Sequence, residues 1–178
     1  MPGNSKNVFR TACGWRRAGA RAMWVWLFAI TPALSQPTPA SEPQPNPGLS
    51  VIEVVRVQME ALGASNTPHE NGGIEIAFRF ASPANKQMTG PLERFVTIVR
   101  GPVYAQMLDH SDVVYGPAFV EGDAAQVPVV VTGADGEQAG YVFRLSRQTA
   151  PPFANCWMTD GVVRMPLKPD QSGGDLQL

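Results

Sequence analysis

The chain is poor in cysteine and has no long apolar segment, and each shortage excludes a class of protein. It has 2 cysteines in 178 residues, so it is not a small secreted scaffold held together by disulfides. The apolar run AMWVWLFAI at residues 22–30 is shorter than the ~20 residues that a membrane-spanning helix needs. The part of the chain after this run has no zinc-type ligand cluster, nucleophile elbow, phosphate loop or dinucleotide fingerprint. No motif therefore indicates an enzyme class or a cofactor.

The N-terminal residues have the pattern of a secretory signal peptide. Basic residues precede the apolar run, and small residues follow it at Ala33 and Ser35. We predict a signal peptide over residues 1–35, cleaved after Ser35, and hence an exported protein that is periplasmic or secreted. An uncleaved anchor, an organellar transit peptide and translation from Met23 are alternatives that the sequence leaves open, and the pair Arg16-Arg17 is only a weak twin-arginine signal.

Cleavage would leave an acidic protein. Five of the 14 basic residues and none of the 15 acidic residues precede residue 36, so the mature chain would have a net charge of −6. Such a charge disfavours nucleic-acid binding. Cys13 would leave with the signal peptide, and Cys156 would then be either buried or available for an intermolecular bridge.

The organisation of the rest follows from composition and periodicity. Five prolines in residues 36–48 predict a spacer, residues 49–166 a single domain, and residues 167–178 a disordered tail. Ser50 and Glu53 form a capping-box pattern that begins a helix ending at Gly63. Its apolar stripe consists of Val51, Val55, Met59 and Leu62.

The segment after the polar stretch 66–73 is ambiguous. Residues 74–81 fit a strand or a helix, and the spacing of Glu75 and Arg79 favours a helix. Gly90-Pro91 predicts the start of a further helix, followed by a short turn over residues 102–108.

The second half of the domain is typical of strands. Four are predicted, at residues 112–120, 126–132, 138–148 and 155–165. Pro128 predicts a bulge or an edge position for the second of them. The predicted fold is α+β, with the helices packed on a curved four-stranded antiparallel sheet.

Three blocks carry a resemblance to a known family: GIEIAFRFASPANKQMTGPLERFVTIVR, GYVFRLSRQ and CWMTDGVVR. They resemble the family catalogued as domain of unknown function 4864 over about residues 49–165. That family is similar in layout to the nuclear transport factor two-like superfamily, which implies a cone of curved sheet enclosing a pocket. The resemblance implies no reaction, because the superfamily includes enzymes, ligand binders and interaction modules.

The resemblance suggests candidate catalytic residues by residue type only. The superfamily's isomerases and dehydratases use a carboxylate, a tyrosine or a histidine inside the cone, and the nearest equivalents here are Asp160, His110 and Tyr104. Tyr115 and Tyr141 are of the same type. The run from Asp109 to Asp112 offers oxygen and nitrogen ligands, but a capped, solvated turn explains it better, so no metal site is predicted.

Candidate ligand-binding residues are Tyr141, Arg147, Trp157 and Arg79. Arg147 shares a strand face with Tyr141 by period two, so it would point into a pocket unless it forms a structural ion pair. Arg79 has the same two interpretations. Trp157 is expected in the core, or in a dimer interface if it lies on the outer face of the sheet.

The sequence thus favours a non-catalytic module that binds a small ligand or serves as an interaction module. A ligand would be apolar or amphipathic, and no cofactor is expected. A small acid-base lyase or isomerase is the first alternative, and a homodimeric envelope assembly module is the second. No nucleic-acid partner is expected, and no stable membrane span after signal cleavage.

Overall fold

The computed structural model describes residues 42–167. The predicted signal peptide, residues 36–41 of the predicted spacer and residues 168–178 of the predicted tail lie outside this range. The helices come first and the strands follow, so the α+β prediction is confirmed. The helices are α1 (Val51–Gly63), α2 (Gly72–Arg79), α3 (Pro83–Thr89) and α4 (Leu92–Val99). A 3-10 turn (Ala105–Met107) follows them. The strands are β1 (Asp112–Tyr115), β2 (Phe119–Glu121), β3 (Ala124–Thr132), β4 (Gln138–Arg147) and β5 (Trp157–Met165).

Helix α1 has the predicted cap and the predicted buried face. The Ser50 side chain accepts a hydrogen bond from the Glu53 backbone N–H at 3.3 Å, and the Glu53 carboxylate accepts one from the Ser50 N–H at 2.7 Å. The predicted apolar stripe is buried. Burial of that stripe against the sheet is what holds α1 in place.

Helix α2 confirms the helical interpretation of residues 74–79 and packs closely on α1. It begins at Gly72, inside the polar stretch 66–73. A Cβ atom on Gly73 would overlap the Ala61 carbonyl oxygen of α1, so only glycine allows this approach. Glu75 and Arg79 form the expected i,i+4 ion pair at 3.5 Å.

Helix α3 was not predicted. Ser82 caps it by accepting from the Asn85 N–H at 3.2 Å, and Pro83 occupies its first turn. The buried residue of this short helix is polar, Asn85, so the helix has no apolar stripe for a periodicity argument to find. Helix α4 begins next to Pro91, close to the predicted start.

The sheet has five strands where four were predicted. The predicted first strand is divided into β1 and β2, and both pair antiparallel with β3. The order is β1-β3-β4-β5, with β2 continuing the β1 side of β3. The two ends do not pair with each other, so the sheet of the described residues stays open.

The prediction that Pro128 marks a bulge or an edge strand is wrong. Strand β3 lies inside the sheet, and its pairing with β4 continues unbroken through Pro128 and Val142. The Pro128 carbonyl accepts from the Gly116 N–H at 2.8 Å. The N and O atoms of a strand residue face the same neighbouring strand. The nitrogen of Pro128 therefore faces the gap between β1 and β2, where no ladder hydrogen bond is lost for want of an N–H.

The core lies between the helices and one face of the sheet. Alternate residues of β3 and β4 point into it, including Val127, Val129, Tyr141, Phe143 and Leu145. Residues between them, such as Gln126 and Arg144, lie on the outer face. None of the helices in residues 42–167 is long and apolar enough to cross a membrane.

Candidate ligand-binding cavity

A cavity of about 240 Å³ lies between the helices and the inner face of the sheet. Helices α1 to α4, the 3-10 turn and strands β4 and β5 all contribute to its wall. Most of the wall is apolar, formed by Leu62, Ala77, Ala81, Met88, Phe95, Ile98, Val99, Met107, Phe143 and Val162, with the ring of Tyr104. Such a wall favours an apolar occupant.

One part of the wall is polar and is held together by hydrogen bonds. The Thr159 hydroxyl donates to Gln58 Oε1 at 2.6 Å, and Gln58 Nε2 donates to the Ala77 carbonyl at 3.0 Å. Asn85 Nδ2 donates to the Thr159 carbonyl at 3.0 Å. We call Gln58, Asn85 and Thr159 the polar end of the cavity. All three residues are buried, with exposed fractions of 4%, 7% and 2%.

Asn85 has an acceptor that its neighbours leave free. Its Nδ2 is bound to Thr159, and no residue among those described donates to its Oδ1. In the same residues, no fully enclosed side-chain oxygen or nitrogen lacks a partner, so Oδ1 adjoins open space. Asn85 lines the cavity, and an unpaired amide oxygen can accept a hydrogen bond.

Asp160 borders the cavity at an irregularity in the sheet. The pairing of β4 with β5 shifts between Arg144 and Leu145, which leaves Asp160 as the extra residue of a bulge. Its Oδ1 accepts from the Ser146 hydroxyl at 2.9 Å. It also borders a wider groove of about 640 Å³ that contains exposed polar residues such as Glu121 and Arg144.

The two tyrosine candidates use their hydroxyl groups in structural bonds. Tyr104 lines the cavity, and its hydroxyl donates to the Val162 carbonyl at 3.0 Å. The Tyr141 hydroxyl donates to the Val103 carbonyl at 3.0 Å, and burial raises the pKa of this phenol. The two rings stack with their centroids 6.4 Å apart, but only Tyr104 belongs to the cavity lining.

His110 does not line the cavity. Its Nδ1 lies 3.0 Å from the Met107 carbonyl oxygen, and its ring packs against Gly63 at the end of α1. The preceding Asp109 accepts from the N–H and the hydroxyl of Ser65 at 3.0 and 3.1 Å. Asp109 is therefore held by hydrogen bonds to Ser65, and residues 42–167 contain no cluster of His, Cys, Asp or Glu that could hold a metal ion.

None of the four ligand-binding candidates, Tyr141 included, belongs to the cavity lining. Trp157 is 6% exposed and belongs to the core, and the Arg147 guanidinium lies 4.8 Å from its ring centroid. Arg147 also faces Asp123 at 3.8 Å. Arg79 pairs with Glu42 at 2.8 Å and donates to the Pro43 carbonyl, so it fastens described residues of the predicted spacer to α2.

Cys156 is buried, which is the first of the two alternatives that the sequence left open. Its exposed fraction is 3%, and burial raises the pKa of its thiol. A buried, protonated thiol reacts slowly. Nothing in its position indicates a role in the cavity.

The polar end was not predicted from the sequence. One signal was available: Gln58 falls on the apolar face of α1, three residues after Val55 and four before Leu62. A buried polar residue on such a face needs a partner. Asn85 and Thr159 gave no comparable signal, because one lies in an unpredicted helix and the other precedes the bulge.

The described residues thus define an α+β domain with a small, mostly apolar cavity that has one polar end. Residues 47–171 match the family described as Domain of unknown function (DUF4864), and the chain belongs to that family. No curated protein and no solved structure matches the chain.

Proposed function

We propose that this protein is an exported module that binds a small apolar or amphipathic ligand in the cavity between its helices and its sheet. The observation that carries this proposal is an apolar wall with a free acceptor, Asn85 Oδ1, at one end. Small-molecule sites have this composition, with apolar walls and a few placed polar groups.

The volume of the cavity limits the size of the ligand. About 240 Å³ corresponds to roughly eight water molecules at ~30 Å³ each. Covalently bonded atoms are more closely spaced than water molecules, so the ligand has on the order of ten non-hydrogen atoms. The cavity is smaller than the ~300 Å³ at which drug-sized sites begin.

The positions of the titratable groups favour binding over catalysis. A general acid or base must reach the reacting atom of its substrate. The hydroxyls of Tyr104 and Tyr141 are bound to backbone carbonyls, and His110 lies outside the lining. A lyase or isomerase would have to work through Asp160, which Ser146 already contacts. Binding needs none of these groups.

We also propose kinship with the nuclear transport factor two-like superfamily. Helices followed by antiparallel strands, with a pocket between the two layers, support it. This kinship agrees with a ligand-binding role but does not select one.

The proposal predicts saturable binding of 1-octanol, whose nine non-hydrogen atoms suit the cavity. At about −0.6 kcal/mol per non-hydrogen atom, the dissociation constant would be on the order of 100 µM. Isothermal titration calorimetry measures it directly. A single-site isotherm supports the proposal, and the absence of saturable heat up to millimolar octanol contradicts it.

A second role, self-association, is favoured by the outer face of the sheet. Val114, Val163 and Met165 on this face are 47%, 38% and 47% exposed, and Val130 and Val142 lie beside them in register. Apolar sheet faces of this kind usually have a partner. We propose a second copy of the chain, because a two-fold axis lets one apolar face cover its equivalent.

Native mass spectrometry of the protein recovered from its own host tests this role. We expect a dimer whose subunits begin at Gln36, and we expect Val114→Lys to produce monomers because it places a charge in the interface. Ala134→Lys, in the exposed β3–β4 turn, is the matched control and should remain dimeric. A wild-type monomer contradicts the dimer, and subunits that retain residues 1–35 contradict cleavage.

A further inference from the structure

The polar end of the cavity also indicates the chemistry of the ligand's head group. We propose that the cavity selects a neutral molecule whose polar head donates a hydrogen bond, an alcohol, and that Asn85 Oδ1 accepts this bond. This inference rests on the proposed binding function. It concerns the type of head group and not whether the cavity binds.

The polar end has an acceptor that no described donor uses. The Thr159 hydroxyl hydrogen is directed at Gln58 Oε1, which leaves Thr159 Oγ1 with acceptor capacity only. Gln58 Nε2 and Asn85 Nδ2 each donate one N–H to a backbone carbonyl, and each amide nitrogen has a second N–H. Asn85 Oδ1 accepts nothing from the described residues. A hydroxyl head group both donates and accepts, so it can pair with Asn85 Oδ1 and also receive an amide N–H at this end.

The charges around the cavity exclude an anionic head. None of the described residues that line it is Lys, Arg or His. A carboxylate or phosphate would therefore be buried without a counter-ion, which is strongly unfavourable. Asp160, at the border, would add repulsion. Fatty acids and phosphate esters of suitable size should bind poorly for this reason.

A head that only accepts hydrogen bonds is also disfavoured. An ether oxygen placed at the polar end can accept a hydrogen bond but leaves Asn85 Oδ1 without a donor. Sites built around a hydrogen bond reject an analogue that lacks it. For an accessible cavity of this kind we expect about a tenfold loss of affinity.

Calorimetry with four ligands of nearly equal size tests the inference on the wild-type protein. They are 1-octanol, its isomer heptyl methyl ether, octanoate and octylammonium. We expect 1-octanol to bind about tenfold more tightly than the ether, and octanoate to bind more weakly still. Octylammonium should bind more weakly than octanol because the cation must lose its hydration.

The variant Asn85→Leu identifies the acceptor. It should reduce the affinity for 1-octanol about tenfold and leave the affinity for the ether unchanged, so that the two ligands become similar. Gln87→Leu makes the same kind of change two residues away, at an exposed position of α3 outside the lining, and should preserve the preference. If Asn85→Leu does not fold, the ranking of ligands by the wild type decides alone.

The outcomes separate this inference from the proposed function. If none of the four ligands binds, the binding function itself is wrong. If octanol and the ether bind equally to the wild type, binding stands and the selection of a donor is wrong. Tighter binding of octanoate overturns the exclusion of anions, and tighter binding of octylammonium assigns the head group to Asp160 instead of Asn85.

Discussion

Replacing Gln58 with leucine is expected to lower the free energy of unfolding by about 3 kcal/mol. Gln58 joins three elements: it lies on α1, donates to the Ala77 carbonyl of α2 and accepts from the Thr159 hydroxyl of β5. The Ala77 carbonyl is in the last turn of α2, where carbonyl groups have no backbone N–H partner within the helix. Leucine would leave both groups buried and unpaired, at a cost of ~1–3 kcal/mol for each.

Urea unfolding followed by circular dichroism measures this loss. Gln87→Leu is the matched control, because it makes the same replacement at an exposed helical position and should change stability by less than about 0.5 kcal/mol. If the free energy of unfolding of Gln58→Leu lies within about 0.5 kcal/mol of the wild-type value, the two hydrogen bonds of Gln58 do not stabilise the fold as proposed.

Replacing Val162 with phenylalanine is expected to abolish most ligand binding. Val162 is paired with Phe143 on the inner face of the sheet, and both line the cavity. Phenylalanine adds four carbon atoms, on the order of a third of the cavity volume. Because these atoms enter open space, the cost in stability should be small, below about 1.5 kcal/mol, while the affinity for 1-octanol should fall at least about tenfold.

The adjacent residue provides the control. Val163 is on the outer face and is 38% exposed, and Val163→Phe introduces the same side chain on the opposite side of the same strand. Calorimetry should give wild-type affinity for Val163→Phe. Equal loss of octanol binding in both variants, or in neither, would place the ligand somewhere other than this cavity.

The sequence predicted the elements whose pattern is repetitive. The cap at Ser50 and the stripe through Leu62 determine α1 locally, and the alternation in β3 and β4 specifies which face is buried. The division of the first strand was not predictable from alternation alone. Residues 116–118 lie opposite Pro128 of β3, and this relation exists only once the sheet has formed.

The candidate site was predicted less well, for a physical reason. Candidates such as Arg147 and Trp157 follow from residue type alone. Contacts with residues distant in sequence determine whether such a side chain lies in the cavity. Asn85 reaches Thr159, 74 positions later in the chain, and no short-range pattern connects the two. A polar end made of three uncharged side chains has no sequence signature.

Methyl chemical shifts during a titration with 1-octanol show whether the cavity binds a small apolar molecule. The methyl groups of Leu62, Ile98 and Val162 line the cavity and should shift and saturate together with one dissociation constant. Those of Val114 and Val163 lie on the outer face and should stay unchanged. If saturating shifts are confined to the outer face, or if the cavity methyl groups do not shift, 1-octanol does not bind in the cavity.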